Sequence, residues 1–240
     1  PHSSPSAILA HLDPSVHLSI VFFLFVFKNL KPKICRPFHR ARDPIIIYSD
    51  AQWEPIQEGR LFPAPSSKDP PLATHTTGLG IIMFLDGLTI AASGEPPGSV
   101  MRSLFERKTQ IIPLELLAAA SALQLWGEKL QGRDAIWFID NQSVCAALCK
   151  GTSRSTDIQV YSTAFHAWCY QYHISPWIQW VPSDTNPADE PSRSGVSCFC
   201  KEIHPIQLPG WANRKAYPDA TSVIKNISIL DPIFCEEVRR

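Results

Sequence analysis

An α/β fold is what this sequence predicts, and three observations predict it. Two short apolar runs, Pro44–Ser49 and Asp134–Ile139, are rich in β-branched or aromatic residues and read as strands; an aspartate follows each, Asp50 and Asp140. Asp86-Gly87 stands between two further apolar runs and is a strong two-residue hairpin signal. Past residue 110 the chain turns rich in Leu and Ala, the best helix formers. The acids matter because a charged side chain at the mouth of a buried strand must be paired, bind a metal or shift its pKa. Asp50 taken alone reads equally well as the start of a turn.

Composition bounds the rest. A chain of 240 residues holds one domain of ordinary size with its ends, or two small ones. Lys and Arg together number 22, as do Asp and Glu, so no overall basic field argues for nucleic acid, although a local groove can still be basic. The 22 prolines cluster between elements and predict long, stiff loops. Seven cysteines without regular spacing argue against a disulfide framework and for a reducing, intracellular compartment. Cys198-x-Cys200 with His204 nearby is a weak zinc pattern, since no second ligand pair has matching spacing. The chain begins at Pro1 rather than Met and reads as a piece of a longer polyprotein.

Taken in order, residues 1–43 form an N-terminal segment and linker, whose apolar run reads as a buried segment or as the remnant of an upstream domain. Leu18–Phe27 is apolar but too short to span a membrane, and lysines follow it where a signal peptide would have them first, so no membrane association is expected. The strand at 44–50 reads as buried on both faces. Ala51–Thr77 reads as a long loop, Gly78–Leu85 as the second strand and Leu88–Ala92 as its return, making a three-stranded antiparallel meander. A loop over Ser93–Thr109 leads to the helix, with Pro113 in its first turn. Glu115 lies on a face that should be dry, beside Ala118, Ala119 and Ala122; its plainer reading is a first-turn acid satisfying helix amides.

Asp134–Ile139 is the next strand, and Asp140 reads either as a helix N-cap or as a carboxylate at the carboxyl edge of the sheet. Asn141-Gln142-Ser143 opens a helix through Lys150 that Gly151 closes. Thr156–His173 is a further helix, with Ile158, Tyr161, Phe165, Trp168 and Tyr172 as a core stripe. Ser175–Val181 is the last strand, and Asn186-Pro187 starts a helix with Asp189 in its first turn. Residues 196–240 form a tail without an assignment.

In this order the pieces Tyr48–Ala51 (YSDA), Gly78–Phe84, Pro113–Leu123 (PLELLAAASAL), Phe138–Val144 (FIDNQSV) and Trp180–Arg193 (WVPSDTNPADEPSR) resemble the ribonuclease H domain of retroelement reverse transcriptases, over roughly residues 44–195. That resemblance implies a ribonuclease H-like α/β fold: a mixed five-stranded sheet flanked by helices, with four clustered carboxylates. By motif these are Asp50, Glu115, Asp140 and Asp189, serving as catalytic residues and as ligands of two Mg2+ ions, with Mn2+ as a substitute. It further implies hydrolysis of the RNA strand of RNA–DNA hybrids, and an upstream polymerase domain as a partner within the polyprotein.

The chemistry is consistent with that expectation. Magnesium takes hard oxygen ligands, and two ions can stabilise both the attacking and the leaving oxygen of a phosphodiester. Crowded carboxylates raise one another's pKa, which bound cations relieve. Asn141, Gln142, Ser143 and Asn186 are polar groups near the inferred edge that suit a nucleic-acid backbone, and each reads equally as a cap or turn residue. Cellular members of the family carry a histidine in the loop before the last acid; here Pro182–Thr185 has none, as in many retroelement versions. Two other readings stay open. One is a DNA-directed nuclease or integrase-like protein of the same fold; the other is an inactive module that serves as a spacer or binding domain.

Overall fold

The computed structural model describes residues 20, 43–55, 75–208, 210–216 and 222. Apart from Ile20 these belong to the unit Asp43–Ile229. The apolar run 18–27, but for Ile20, and the stretch 56–74 lie outside the described residues. No helix among the described residues is long and apolar enough to cross a membrane.

A mixed α/β architecture is found, and its sheet has six strands rather than five. β1 (Ile45–Pro55), β2 (His75–Leu85) and β3 (Leu88–Gly94) form the antiparallel meander. Asp86 and Gly87 form its turn, both with positive φ (49° and 81°), as a two-residue loop matched to the strand twist requires. β4 (Asp134–Ile139) and β5 (Ser175–Trp180) lie parallel to β1, so the order runs β5-β4-β1-β2-β3-β6. The added strand, β6 (Ile203–Pro205), pairs parallel to β3. It lies in the stretch without a sequence assignment, because three residues are too few to carry an alternating pattern. The chain beyond it also packs inward. The Tyr161 hydroxyl donates to the Ala212 carbonyl at 2.8 Å, and the Arg214 backbone N–H donates to Ser103 Oγ at 2.9 Å.

Two expectations for the first strands need correction. The loop expected over 51–77 is shorter, because β1 continues to Pro55 and β2 begins at His75. Nor is β1 equally buried on both faces: Ile45 and Ile47 are fully buried, while Ile46 and Tyr48 are only half-buried. The less covered face carries Tyr48 stacked on Phe138 at 4.8 Å, with Phe84 edge-on at 6.2 Å.

The helices are α1 (Gly98–Met101), α2 (Ile111–Trp126), α3 (Gln142–Lys150), α4 (Thr156–Gln171) and α5 (Asp189–Arg193). α1 interrupts the expected loop 93–109. α2 is buried almost all round from Pro113 to Leu123, as its Leu and Ala content predicts, and packs against β1, β2 and α4. The stripe on α4 enters the core, with Phe165 edge-on to Trp137 at 4.9 Å. Tyr161 is fully buried, and Ile158, Trp168 and Tyr172 pack at the margin. α5 lies over β1, β2 and β3.

α5 can lie there because β2 carries glycines at positions 78 and 80. A Cβ on Gly80 would stand 2.3 Å from the Ser192 backbone nitrogen and 2.4 Å from the Ala188 carbonyl oxygen; one on Gly78 would stand 1.9 Å from the Ser192 carbonyl oxygen. Three polar contacts hold α5 in place: Asn186 Nδ2 donates to the Ser49 carbonyl at 3.2 Å, Ser93 Oγ to the Pro191 carbonyl at 2.6 Å, and Ser192 Oγ to Asp50.

Candidate functional site

Strand register creates the site. β1 and β4 are parallel and paired from Ile45–Ala135 to Ser49–Ile139, and the pairing stops there. Asp50 and Asp140 are the next residues on each strand, so they come out side by side where β4 leaves the sheet. Beyond Ser49 that edge of β1 is open, and the backbone N–H of Ala51 is free to meet Glu115 from α2. Asp50, Glu115 and Asp140 each offer a carboxylate oxygen, all within 4.8 Å of one another; among the described residues this is the sole group with metal-binding geometry. Cys198, Cys200 and His204 do not form one.

Burial decides the electrostatics. Asp50 is 3% exposed and Glu115 2% exposed. Burial pushes the Asp50 carboxyl up to about 7, against the pull of the Ser192 hydroxyl; the charges of Asp140 and Asp189 add to the push, and Arg193 opposes it. Glu115 is raised well above the usual carboxylate range, first by burial and then by Asp50 and Asp140. Its Oε2 is buried with no hydrogen-bond partner. An ionised, dry carboxylate oxygen facing two further carboxylates is costly unless a proton or a cation joins it. The donor set is all hard oxygen, which fits a divalent ion of the magnesium type.

The plainer readings of these acids do not describe their environment. Asn141, not Asp140, caps α3, its Oδ1 accepting from the Ser143 and Val144 backbone N–H groups at 3.0 and 3.2 Å. Glu115 is the fifth residue of α2, past the first-turn amides. Asp189 is the one sequence candidate that the structure does not bring into the group. Its Oδ1 accepts from Arg193 Nε at 2.6 Å, and the same guanidinium pairs with Glu54 near the far end of β1. The polar residues proposed for backbone contact divide. Asn141 is occupied as a cap, and Asn186 is buried, its Oδ1 accepting from the Ala188 N–H at 3.2 Å. Gln142 and Ser143 are exposed.

Sequence reasoning missed two contributors. The Trp180 indole N–H donates to the Asp140 carbonyl at 3.0 Å and ties the backbone that carries that carboxylate to β5. Ser192 bonds Asp50 from 142 residues away. Both lie in the quoted Trp180–Arg193 phrase, but nothing local in that phrase says which strand they will meet.

If the site takes a cation, the metal must stabilise the fold. Saturating Mg2+ or Mn2+ at pH 8 is expected to raise the unfolding temperature by about 5 °C or more, since ligand at a hundred times its Kd contributes about 2.7 kcal/mol. Differential scanning fluorimetry with and without chelator checks this, and an unchanged transition would remove the metal from the site.

No family model and no curated protein matches the chain. Solved structures do match it. RNase H1 from the halophilic archaeon Halobacterium salinarum is 16% identical with a TM-score of 0.42, the match covering 63% of this chain and 98% of that one. LC11-RNase H1, isolated from compost and solved in complex with an RNA/DNA hybrid, is 16% identical with a TM-score of 0.42, covering 61% of this chain and 92% of that one. An N-terminal RNase H domain from Mycobacterium tuberculosis, fused to maltose binding protein, is 14% identical with a TM-score of 0.38, covering 61% and 90%. These are distant likenesses, and the case for the site rests on its own geometry: three carboxylates from β1, α2 and β4, two of them buried, with one oxygen left unpartnered.

Proposed function

We propose that this chain is a metal-dependent endonuclease that hydrolyses the RNA strand of RNA–DNA hybrids, as the ribonuclease H domain of a retroelement reverse transcriptase polyprotein. The observation that carries the reading is the carboxylate group Asp50, Glu115 and Asp140, with Glu115 Oε2 left without a partner. Its sequence context supports the substrate: the five motif pieces occur in chain order, and the strands and helices that bear them follow the expected succession.

In this reading Asp50, Glu115 and Asp140 hold Mg2+, and Asp189 completes the set from α5. Bound metal supplies stabilisation of the charge that develops on the attacking and leaving oxygens of the phosphodiester. The chain's own contribution is to hold the carboxylates. Parallel register aligns Asp50 with Asp140, the packed α2 presents Glu115, and Trp180 anchors the Asp140 backbone. Discrimination for a hybrid comes from 2′-hydroxyls and duplex shape rather than base sequence. The upstream polymerase domain is the proposed partner that grips the remainder of the hybrid, and residues 44–195 are the proposed span of the nuclease motifs.

The test is incubation of the purified chain with labelled RNA–DNA hybrid, duplex DNA and single strands in Mg2+, beside an Asp140→Asn variant. Cleavage confined to the RNA strand of the hybrid, lost with chelator and in the variant, is the expected result. Cleavage of duplex DNA would instead identify a DNA-directed nuclease of the same fold. No cleavage even with the upstream domain restored would leave an inactive module.

A further inference from the structure

We propose that Ser192 is a positioning residue for the metal centre, occupying one oxygen of Asp50 so that the other is presented to the cation; the inference rests on the metal-centre reading above. Ser192 and Asp50 are both buried at 3% exposure, and the Ser192 hydroxyl bonds Asp50 Oδ2. The contact exists because the face of the sheet is bare at Gly80. Gly80 is the cross-strand partner of Asp50, and the absence of its Cβ lets the α5 backbone lie directly on β2. α5 thereby delivers a hydroxyl to a carboxylate buried away from the surface.

A serine hydroxyl has a single proton to give. Its other acceptor within reach is the Asp189 carbonyl at 3.0 Å, a local bond within α5's own first turn. Two roles are therefore distinguishable. If Ser192 serves only α5, the proton goes to the Asp189 carbonyl and Asp50 is indifferent to it. If Ser192 serves Asp50, it fixes the carboxylate's rotation and leaves a single oxygen for the ion. Groups that orient metal ligands in this way commonly change metal affinity without touching the metal.

Titration calorimetry of the full chain with Mn2+ at pH 8 separates the two, with thermal unfolding of the metal-free proteins alongside. Ser192→Ala is expected to weaken Mn2+ binding about tenfold, and Ser192→Thr, which keeps the hydroxyl, to restore it to within about threefold of the parent. Should the alanine variant fail to fold, Ser192→Cys keeps the volume with a weaker donor and is expected to lose affinity in the same direction. A Ser192→Ala or Ser192→Cys protein that melts lower without metal yet binds Mn2+ as tightly as the parent would overturn the proposal and leave a purely structural serine. A parent protein that binds no Mn2+ would instead overturn the metal-centre reading, and this inference with it.

Discussion

Asp50→Asn is expected to abolish hybrid cleavage, by roughly a thousandfold or more, while making the metal-free protein more stable. The first effect follows from removing a charged ligand, a loss of about 4 kcal/mol of transition-state stabilisation at that rate ratio. The second follows from burial. Asp50 has its carboxyl raised to about 7 in the folded protein against an ordinary value of 3.8. The folded state therefore holds a proton that the unfolded chain has released, and stability falls as pH rises between those values. The penalty is absent below about pH 4, grows toward pH 7 and is complete above it, reaching about 4 kcal/mol at most. Asparagine does not titrate, so the stability gap between variant and parent should widen from pH 5 to pH 8. His166, held below its usual range by burial, titrates the opposite way in both proteins and cancels in the comparison, whereas Glu115, pushed up in part by the Asp50 charge, widens the gap in the same direction. Urea unfolding with chelator at both pH values measures the gap. A variant less stable than its parent at pH 8 would show that Asp50 is satisfied without metal.

Gly80→Ala is expected to be among the most damaging small substitutions outside the carboxylates. Its new methyl would meet backbone atoms of Ser192 and Ala188 at 2.3 and 2.4 Å, and backbone cannot rotate away. Either α5 lifts from the sheet or β2 distorts, at a cost of about 3 kcal/mol or more. For a domain of this size that is a fall of about 6–12 °C in unfolding temperature. Since α5 carries Ser192 and Asp189, metal affinity should fall too. Gly87 is the control: a Cβ there meets nothing, so Gly87→Ala pays only for its left-handed φ, about 1–2 kcal/mol, and should leave metal binding unchanged. Thermal unfolding and Mn2+ titration of the two variants decide the matter. Equal losses in both would mean that close packing over Gly80 is not what holds α5.

Much of the fold was legible because its signals are local. β-branched runs, the Asp86-Gly87 turn, the Leu and Ala helix and Gly151, with φ of 65° at the end of α3, each announce themselves within a few residues. The exceptions have physical causes. β6 is three residues of edge strand whose pairing partner is β3, far away in the chain. β1 and β2 outran their apolar cores because Trp53 to Pro55 and His75 to Thr77 gain their pairing from each other, not from hydrophobic pattern.

The site divides along the same line. The sequence by itself determined which carboxylates exist, and that Asp50, Glu115 and Asp140 end or enter buried elements, since apolar periodicity and strand termini are properties of short windows. Only the tertiary structure decided which of them meet. Parallel register of β1 with β4 sets Asp50 beside Asp140, and the end of that pairing opens the edge where Glu115 enters. The structure also pairs Asp189 with Arg193, outside the three-carboxylate group yet near enough for its charge to act on Asp50, and supplies Asp50 with a hydroxyl from Ser192. Distances between side chains depend on how strands and helices pack, and no local pattern records that.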